Sequence, residues 1–180
     1  SMVSPAIANG MVFTGSDDGK VYALNATTGA KIWTFQTDIG SWGFSSSPAV
    51  ADGIVFVGSG DGKVYAFGLP KPKLIRSLSI PSTARVVDYD NGIYVVGTTA
   101  GELYVLNEVG QYTNTSLGAG VINDVRIEHP FIAVAADYAV IKLELSNLTP
   151  SERWRTTLPG WTKVISTDLS KNGSFVSYLA

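Results

Sequence analysis

The 180-residue chain contains no cysteine and a single histidine, His129. Without cysteine it can form no disulfide, no thiolate metal site and no cysteine nucleophile, which excludes zinc fingers, iron–sulfur clusters and Cys/His hydrolases. His129 precedes Pro130 in a predicted turn, and nothing in the sequence places partners for a histidine-based triad beside it. We therefore expect no metal site and no catalytic residue among these residue types.

The chain also has little charge and no long hydrophobic run. Charged residues make up 16% of the sequence, the net charge is −2, and the 13 Lys and Arg are scattered rather than clustered. A nucleic-acid partner is therefore not expected. The longest nearly apolar stretch, residues 131–143, contains Asp137 and Lys142 and is shorter than the ~20 residues of a transmembrane helix. The sequence predicts a globular protein without a membrane span.

Glycine and internal repetition are what the chain has in abundance. Residues 4–24, SPAIANGMVFTGSDDGKVYAL, match residues 47–67, SPAVADGIVFVGSGDGKVYAF, with an offset of 43. Weaker copies begin near residues 86, 122 and 164, which gives a period of about 40 residues. Asn-Gly and Asp-Gly pairs between β-branched and aromatic runs are strong hairpin signals. Each complete copy therefore predicts four short antiparallel strands.

These repeats predict an all-β fold, a β-propeller built of four-stranded antiparallel blades. A β-sandwich is the alternative, but it does not require near-identical repeats. We expect about four and a half blades in a single propeller domain or propeller fragment. The predicted blades are approximately residues 3–37, 45–80, 84–117 and 121–158, with a partial blade at 163–180. The chain could belong to a larger ring or close as a five-bladed one. As a fragment it would expose apolar blade faces, so we expect self-association.

The repeat motif, with NATTGAKIWTF after its first copy, resembles the repeat of pyrroloquinoline-quinone (PQQ)-like propellers most clearly over residues 4–68. The resemblance implies that Trp33 lies on an outer strand and docks its blade onto the next, and that Trp154 has the same structural role in the fourth repeat. Quinoproteins of this family hold PQQ with adjacent cysteines, a stacking tryptophan and a Ca²⁺ site. Because this chain has no cysteine and no recognisable calcium-ligand set, we expect neither PQQ nor Ca²⁺ as a cofactor.

Antiparallel strand order predicts where a ligand could bind. In each blade the turn between the second and third strands should share a face with the loop that leads to the next blade. We therefore name as candidate ligand-binding residues Asp17, Asp18, Asp38, Trp42, Phe44, Asp61 and Trp161, with Asp137 at the corresponding turn of the fourth copy. Exposed aromatic side chains on loops commonly serve ligand binding, and the carboxylates beside them could coordinate a hard cation such as Ca²⁺. The alternative is that the aspartates are turn residues and the aromatic residues fill the ends of neighbouring blades.

The sequence favours a non-catalytic propeller scaffold that recognises a protein or a carbohydrate. The alternative function is that of a quinoprotein-like oxidoreductase domain that binds PQQ and Ca²⁺. An enzyme would need several polar side chains that converge on one ligand, and the sequence shows no such convergence. Four N-glycosylation acceptor sequences, at Asn25, Asn114, Asn147 and Asn172, favour an extracellular or cell-surface location.

Overall fold

The computed structural model describes residues 4–36, 43–44, 46–69, 73–158, 164–169 and 174–179. This part of the chain contains eighteen strands and no helix. The strands are β1 (Ala6–Ala8), β2 (Met11–Gly15), β3 (Lys20–Asn25), β4 (Lys31–Gln36), β5 (Ala49–Ala51), β6 (Ile54–Ser59), β7 (Lys63–Gly68), β8 (Lys73–Ser79), β9 (Ala84–Asp90), β10 (Ile93–Thr98), β11 (Glu102–Asn107), β12 (Tyr112–Ser116), β13 (Ile122–Glu128), β14 (Phe131–Ala136), β15 (Ala139–Ser146), β16 (Thr149–Thr157), β17 (Val164–Leu169) and β18 (Phe175–Leu179).

The strands form successive antiparallel sheets in which sequence neighbours pair. We call them the first sheet (β1–β4), the second sheet (β5–β8), the third sheet (β9–β12), the fourth sheet (β13–β16) and the two-stranded sheet (β17–β18). The predicted all-β fold with four-stranded antiparallel blades is confirmed. Tight turns join the inner strands of the first three sheets, and Gly10, Gly53 and Gly92 all have positive φ in them. Glycine adopts this conformation without steric cost, which explains its place at each turn.

The chain divides into two compact units, Ser1–Val87 and Asp88–Ala180. In the first unit, the core lies between the first and second sheets. Both sheets contribute aromatic and aliphatic side chains to it, namely Met11, Phe13, Val21, Ala23, Trp33, Phe44, Val55, Val57, Tyr65 and Phe67. Burial alternates along β2 and β3, as expected for strands with one covered face.

In the second unit, strand β14 of the fourth sheet is buried on both faces. Five successive residues of β14, Ile132 to Ala136, have no exposed surface. Strand β13 contacts β10 of the third sheet, and β17 of the two-stranded sheet contacts β13 and β14. Strands packed on both sides read as continuous apolar runs, which fits the sequence FIAVAA. The described residues also contain no helix that is long and apolar enough to cross a membrane.

Candidate functional site

The turn between β2 and β3 holds Asp18 in place with both carboxylate oxygens. The backbone N–H of Lys20 donates to Oδ1 at 3.0 Å, and the Tyr22 hydroxyl donates to Oδ2 at 2.6 Å. The Lys20 ammonium also lies 3.6 Å from Oδ2. Asp18 therefore closes its own turn and anchors the tyrosine two residues into the next strand.

The second sheet repeats this arrangement at an offset of 43 residues. The Lys63 N–H donates to Asp61 Oδ1 at 3.1 Å, and the Tyr65 hydroxyl donates to Oδ2 at 2.5 Å. In both turns a serine hydroxyl oxygen, that of Ser16 or Ser59, accepts from the aspartate N–H at 3.4 Å. The two carboxylates thus have the same turn-closing contacts, as the turn-residue alternative expects.

The third sheet keeps the tyrosine contact but moves the carboxylate. Ala100 stands where the first two turns have aspartate, and Glu102 follows Gly101 where they have lysine. The Tyr104 hydroxyl donates to Glu102 Oε2 at 3.1 Å. A carboxylate on either side of the turn glycine can therefore accept a hydrogen bond from the tyrosine hydroxyl, a feature that sequence analysis did not find.

The Asp18–Tyr22 contact shifts the titration of both groups. The hydrogen bond donated by the Tyr22 hydroxyl stabilises the charged carboxylate and holds the pKa of Asp18 below its usual value. The same hydrogen bond, together with the negative charge of Asp18, raises the pKa of the Tyr22 hydroxyl. Both side chains therefore keep their ordinary charge at neutral pH, with Asp18 as the anion and Tyr22 as the proton donor.

The loop that enters the second sheet meets the turn of the first sheet, as the predicted face requires. The N–H of Phe44 donates to the Ser16 carbonyl oxygen at 3.0 Å. Gly43 lies so close to the Asp17 backbone that a Cβ at position 43 would sit 2.3 Å from the Asp17 Cα. Asp17 itself is exposed. The structure therefore brings the Asp17 turn and the start of the second repeat together.

Phe44 is a core residue rather than an exposed aromatic on this face. It has no exposed surface, its ring meets Tyr65 edge-on at 5.8 Å between centroids, and a Cβ added at Gly15 would lie 2.5 Å from its Cβ. A ligand at the surface cannot reach it, because the side chain fills the space between the two sheets. The other loop candidates, Asp38, Trp42 and Trp161, lie outside the described residues.

The two predicted docking tryptophans differ in their surroundings. Trp33 is 8% exposed, and its ring centroid lies 5.9 Å from that of Phe13 and 6.0 Å from that of Phe67 on the second sheet. Trp33 therefore contacts a side chain of the second sheet. Trp154 lies on the outer strand β16 of the fourth sheet and is 43% exposed.

In the second unit, the turn between β14 and β15 presents an exposed aromatic side chain on a fixed backbone. Asp137 accepts hydrogen bonds from the Asn123 amide at 2.9 Å and from the Val121 N–H at 3.3 Å. The next residue, Tyr138, donates its N–H to the Ala119 carbonyl at 3.0 Å, while 46% of its surface is exposed. Sequence analysis named Asp137 and missed Tyr138, although the two are adjacent in the same turn.

A second polar cluster lies along the innermost strands of the second unit. Asp88 Oδ2 accepts from the Ile127 N–H at 2.9 Å, and Asp90 Oδ2 accepts from the His129 N–H at 2.8 Å. Both bonds span 39 residues, so carboxylates from β9 satisfy backbone donors on the corresponding strand β13 and at its end. The alternating aspartates in VVDYDNG were the available sequence signal, because residues two apart on a strand share a face.

Burial changes the acidity of this inner cluster. Desolvation raises the pKa of Asp88 to about 6, against the lowering effects of the Ile127 N–H and the positive charge of Arg126. Asp124 is nearly buried and is paired with Arg126 at 3.0 Å. A carboxyl group with a strongly perturbed pKa is a recognised marker of functional sites, although buried structural networks produce the same shift.

The described residues do not fit the calcium site that a bound quinone requires. Among them, no group of three or more His, Cys, Asp or Glu side chains is arranged to hold a metal ion. The carboxylates of Asp18 and Asp61 already use both oxygens within their turns. The oxygen atoms of these two carboxylates therefore serve to close their own turns.

No curated protein sequence matches the chain. The family of the outer membrane protein assembly factor BamB matches residues 1–70. The crystal structure of BamB from Moraxella catarrhalis superposes with a TM-score of 0.76 at 20% identity, over 98% of this chain and 54% of that protein. The computationally designed Ika8 protein superposes with a TM-score of 0.74 at 16% identity, over 98% of this chain and 57% of the design.

The chain thus spans little more than half the length of either solved structure. At these identities the superpositions establish the fold, whereas the family match is confined to the two repeats that are most alike in sequence. Residues 1–70 carry the PQQ-like repeat of the BamB family, on a chain whose fold is that of a PQQ-like β-propeller.

Proposed function

We propose that this chain is a non-catalytic β-propeller scaffold that recognises a protein partner outside the cytoplasm, at the cell surface or envelope. The observation that carries the proposal is the match of residues 1–70 to a family named for the assembly of outer membrane proteins. The turn geometry supports it, because the carboxylates of Asp18 and Asp61 brace their own turns. Rigid turns on stacked sheets are suited to presenting a recognition surface.

Tyr138 is the residue that we propose as the centre of that surface in the second unit. It is 46% exposed, and the hydrogen bonds of Asp137 and of its own N–H hold its backbone in place. A tyrosine combines a large apolar ring with a hydroxyl group, and such residues supply much of the binding energy of protein interfaces. Because the turn is already ordered, binding would cost little conformational entropy.

Site-specific photo-crosslinking of the full chain in its source cells tests this proposal. A photoreactive amino acid is placed at Tyr138 and, as the matched control, at Val109, which is 78% exposed in the turn between β11 and β12. We expect one protein adduct of defined mass from position 138 that excess unmodified chain suppresses and excess Tyr138→Ser chain does not. Equal adducts from both positions, or none from 138, would contradict the proposed surface.

A glycan array probed with the purified chain distinguishes the carbohydrate alternative. Under the proposal, the array gives no saturable signal that the Tyr138→Ser change removes. Specific glycan binding without a protein adduct would replace the protein partner by a carbohydrate and leave the scaffold role intact.

A further inference from the structure

Each four-stranded sheet ends in an outer strand, β4, β8, β12 or β16, that pairs on one side only among the described strands. Strands β4, β8 and β16 each carry one extra residue, at Ile32, Ile75 and Arg153, where the register with the preceding strand shifts. Such a β-bulge twists an edge strand and hinders its pairing with another chain. Strand β12 pairs with β11 in unbroken register from Tyr112 to Ser116. Of these four outer strands, β12 alone has no bulge.

Charge distinguishes β12 from the other outer strands as well. The sequences of β4 and β8, KIWTFQ and KLIRSLS, contain lysine or arginine, and β16, TPSERWRTT, contains Pro150 and several charged residues. Charged residues and proline are usual means by which proteins protect an edge strand. Strand β12, YTNTS, has neither, although it is only one residue shorter than β4. The third sheet therefore ends in an edge without the protection that the other three sheets have.

The hydrogen bonds at the two ends of β12 show which backbone groups lie on its outer edge. The Asn107 N–H donates to the Gln111 carbonyl oxygen at 3.0 Å, and the Leu117 N–H donates to the Gly101 carbonyl oxygen at 3.1 Å. Because the bonding direction alternates along an antiparallel strand, residues 113 and 115 also bond towards β11. The N–H and C=O groups of the residues between them point outwards. We call these outward groups the free edge, and they belong to Tyr112, Asn114 and Ser116.

The free edge is both exposed and held in place. All three of its residues are exposed, and Tyr112 keeps 45% of its surface accessible. The Tyr112 ring centroid lies 5.7 Å from that of Tyr104 on the neighbouring strand. Just beyond the strand, the Arg155 guanidinium donates to the Leu117 carbonyl oxygen at 2.6 Å. A strand that is already extended and ordered can accept a partner with little further loss of conformational entropy.

We propose that the free edge of β12 binds an extended, uncharged segment of a partner protein, which joins the third sheet as a further antiparallel strand. Each outward residue can exchange two hydrogen bonds with the residue opposite, up to about six in all. In β-strand addition such backbone bonds supply affinity, and side-chain contacts supply specificity. An aromatic or β-branched residue beside Tyr112 is the side-chain contact that best favours pairing. This edge consists of other residues than the turn of Tyr138, so the two proposals can fail independently.

A second copy of the chain fits this edge less well than a flexible segment does. Five residues of strand span roughly 17 Å, and two folded sheets that meet along that length alone bury much less than the ~800 Å² per partner of a stable interface. Two-fold pairing centred on the strand would also set Asn114 against its own copy, and asparagine is disfavoured in strands. A flexible segment needs only the backbone ladder and a few side-chain contacts.

Hydrogen exchange of the purified full chain, resolved by residue with NMR, tests the edge itself. We expect the amides of Asn114 and Ser116 to exchange at least ~10-fold faster than those of Thr113 and Thr115, because only the latter are bonded to β11. Equal protection of all four amides would mean that the outer edge is already paired and would contradict the proposal. Protection that grows with protein concentration would assign the edge to a second copy instead.

Peptide binding tests the partner chemistry. The probe is a fluorescein-labelled heptapeptide, blocked at both ends, in which threonine and valine alternate around a central tyrosine. Asn114→Pro removes one outward N–H and no bond to β11, and an edge position of this kind tolerates proline. Asn114→Thr keeps the N–H and is the matched control. We expect saturable binding to the unchanged chain and to Asn114→Thr, with affinity at least ~10-fold weaker for Asn114→Pro. Bound peptide should slow exchange at Ser116.

Three results of the peptide experiment would overturn the proposal: no saturable binding up to millimolar peptide, undiminished binding to a folded Asn114→Pro chain, or protection at another strand in place of Ser116. If Asn114→Pro fails to fold, the peptide is N-methylated instead at alternate residues. Methylation of the peptide amides that face β12 should abolish binding, and methylation of those that face away should not. Equal effects of the two methylation patterns would count against strand addition.

Discussion

The second strands of the first and fourth sheets, β2 and β14, hold the same place in the strand order but differ in their exposure to solvent. Along β2 the buried residues Met11 and Phe13 alternate with the partly exposed Val12 and Thr14. Along β14 the residues Ile132 to Ala136 are all buried. The sequences reflect this difference only partly, because MVFTG and FIAVAA are both largely apolar. A repeat sheet is therefore built to be covered on both sides, and its exposure depends on which neighbours are present.

The largest loss of stability is expected from a substitution on the covered side of the first sheet. Trp33→Ala removes a ring that packs between Phe13 and Phe67, so we expect a loss of about 3–5 kcal/mol in the free energy of unfolding. Trp154→Ala on the fourth sheet is the control, and its loss should be much smaller because 43% of Trp154 is exposed. Denaturant titration measures both. Equal losses would mean that the two tryptophans are packed alike.

The next effect concerns the inner strand of the fourth sheet and its contact with Asp88. Because the pKa of Asp88 is raised from 3.8 to about 6, the folded state binds this proton more tightly than the unfolded state. The contribution of the protonated Asp88 to the free energy of unfolding is therefore fully present below pH 4 and is lost as the pH rises through 6. Asp88→Asn keeps an acceptor for the Ile127 N–H and removes the buried charge. We expect it to stabilise the protein at pH 8 by up to about 3 kcal/mol.

Thermal unfolding between pH 4 and pH 8 tests this expectation, since the difference between Asp88→Asn and the unchanged chain should vanish towards pH 4. Asp52→Asn removes one negative charge from an exposed turn and controls for net charge. A variant that is less stable than the unchanged chain at pH 8 would show that the Asp88 charge supports the inner strands.

A smaller loss of stability is expected when the tyrosine–aspartate hydrogen bond is removed, and its size should differ between the first and second sheets. Tyr65→Phe removes the hydroxyl that donates to Asp61 on the covered second sheet, and we expect a loss of about 1–2 kcal/mol. Tyr22→Phe removes the equivalent bond to the exposed Asp18 of the first sheet and should cost less, because water can replace the lost donor. Urea titration of both variants measures the ratio of the two losses, and a larger loss at Tyr22 would contradict the greater exposure of this hydrogen bond.

The smallest effect is expected at Ile7, on the edge strand β1 of the first sheet. Ile7→Thr should change the free energy of unfolding by no more than about 0.5 kcal/mol, because 70% of the side chain is already exposed. The matched change Val50→Thr on the second sheet should cost more, since Val50 packs against the core of the first unit. Melting curves of the two variants provide the comparison, and a substantial loss at Ile7 would contradict the exposure of its side chain.

Local chemistry made much of the fold predictable from the sequence. The four short antiparallel strands predicted for the first copy are observed as β1 to β4, because Asn-Gly and Asp-Gly pairs between β-branched runs are strong hairpin signals. Asn9, Asp52 and Asn91 all adopt the positive φ that a two-residue hairpin turn requires. These features depend on neighbouring residues and so can be read along the chain.

Burial and partner choice depend on distant residues and were harder to predict. Phe44 lies in the predicted loop but points into the core, since the glycines at 15 and 43 let the loop approach the first sheet closely. Asp88 acquires its raised pKa from packing against a strand 39 residues away. The same limit applies to the tryptophans, because the fourth repeat has a tryptophan on its outer strand as the first does, while the exposure of Trp154 differs from that of Trp33.

The contact between a turn carboxylate and a strand tyrosine also acts as a check on strand alignment. A slip of one residue between β2 and β3 would turn Tyr22 to the opposite side of the sheet and separate its hydroxyl from Asp18. Because the first two repeats are nearly identical over these strands, a nascent chain could pair strands from the wrong copies. A turn that closes with its own tyrosine favours the hairpin encoded in the same dozen residues, and thereby helps each repeat to assemble before it meets its neighbours.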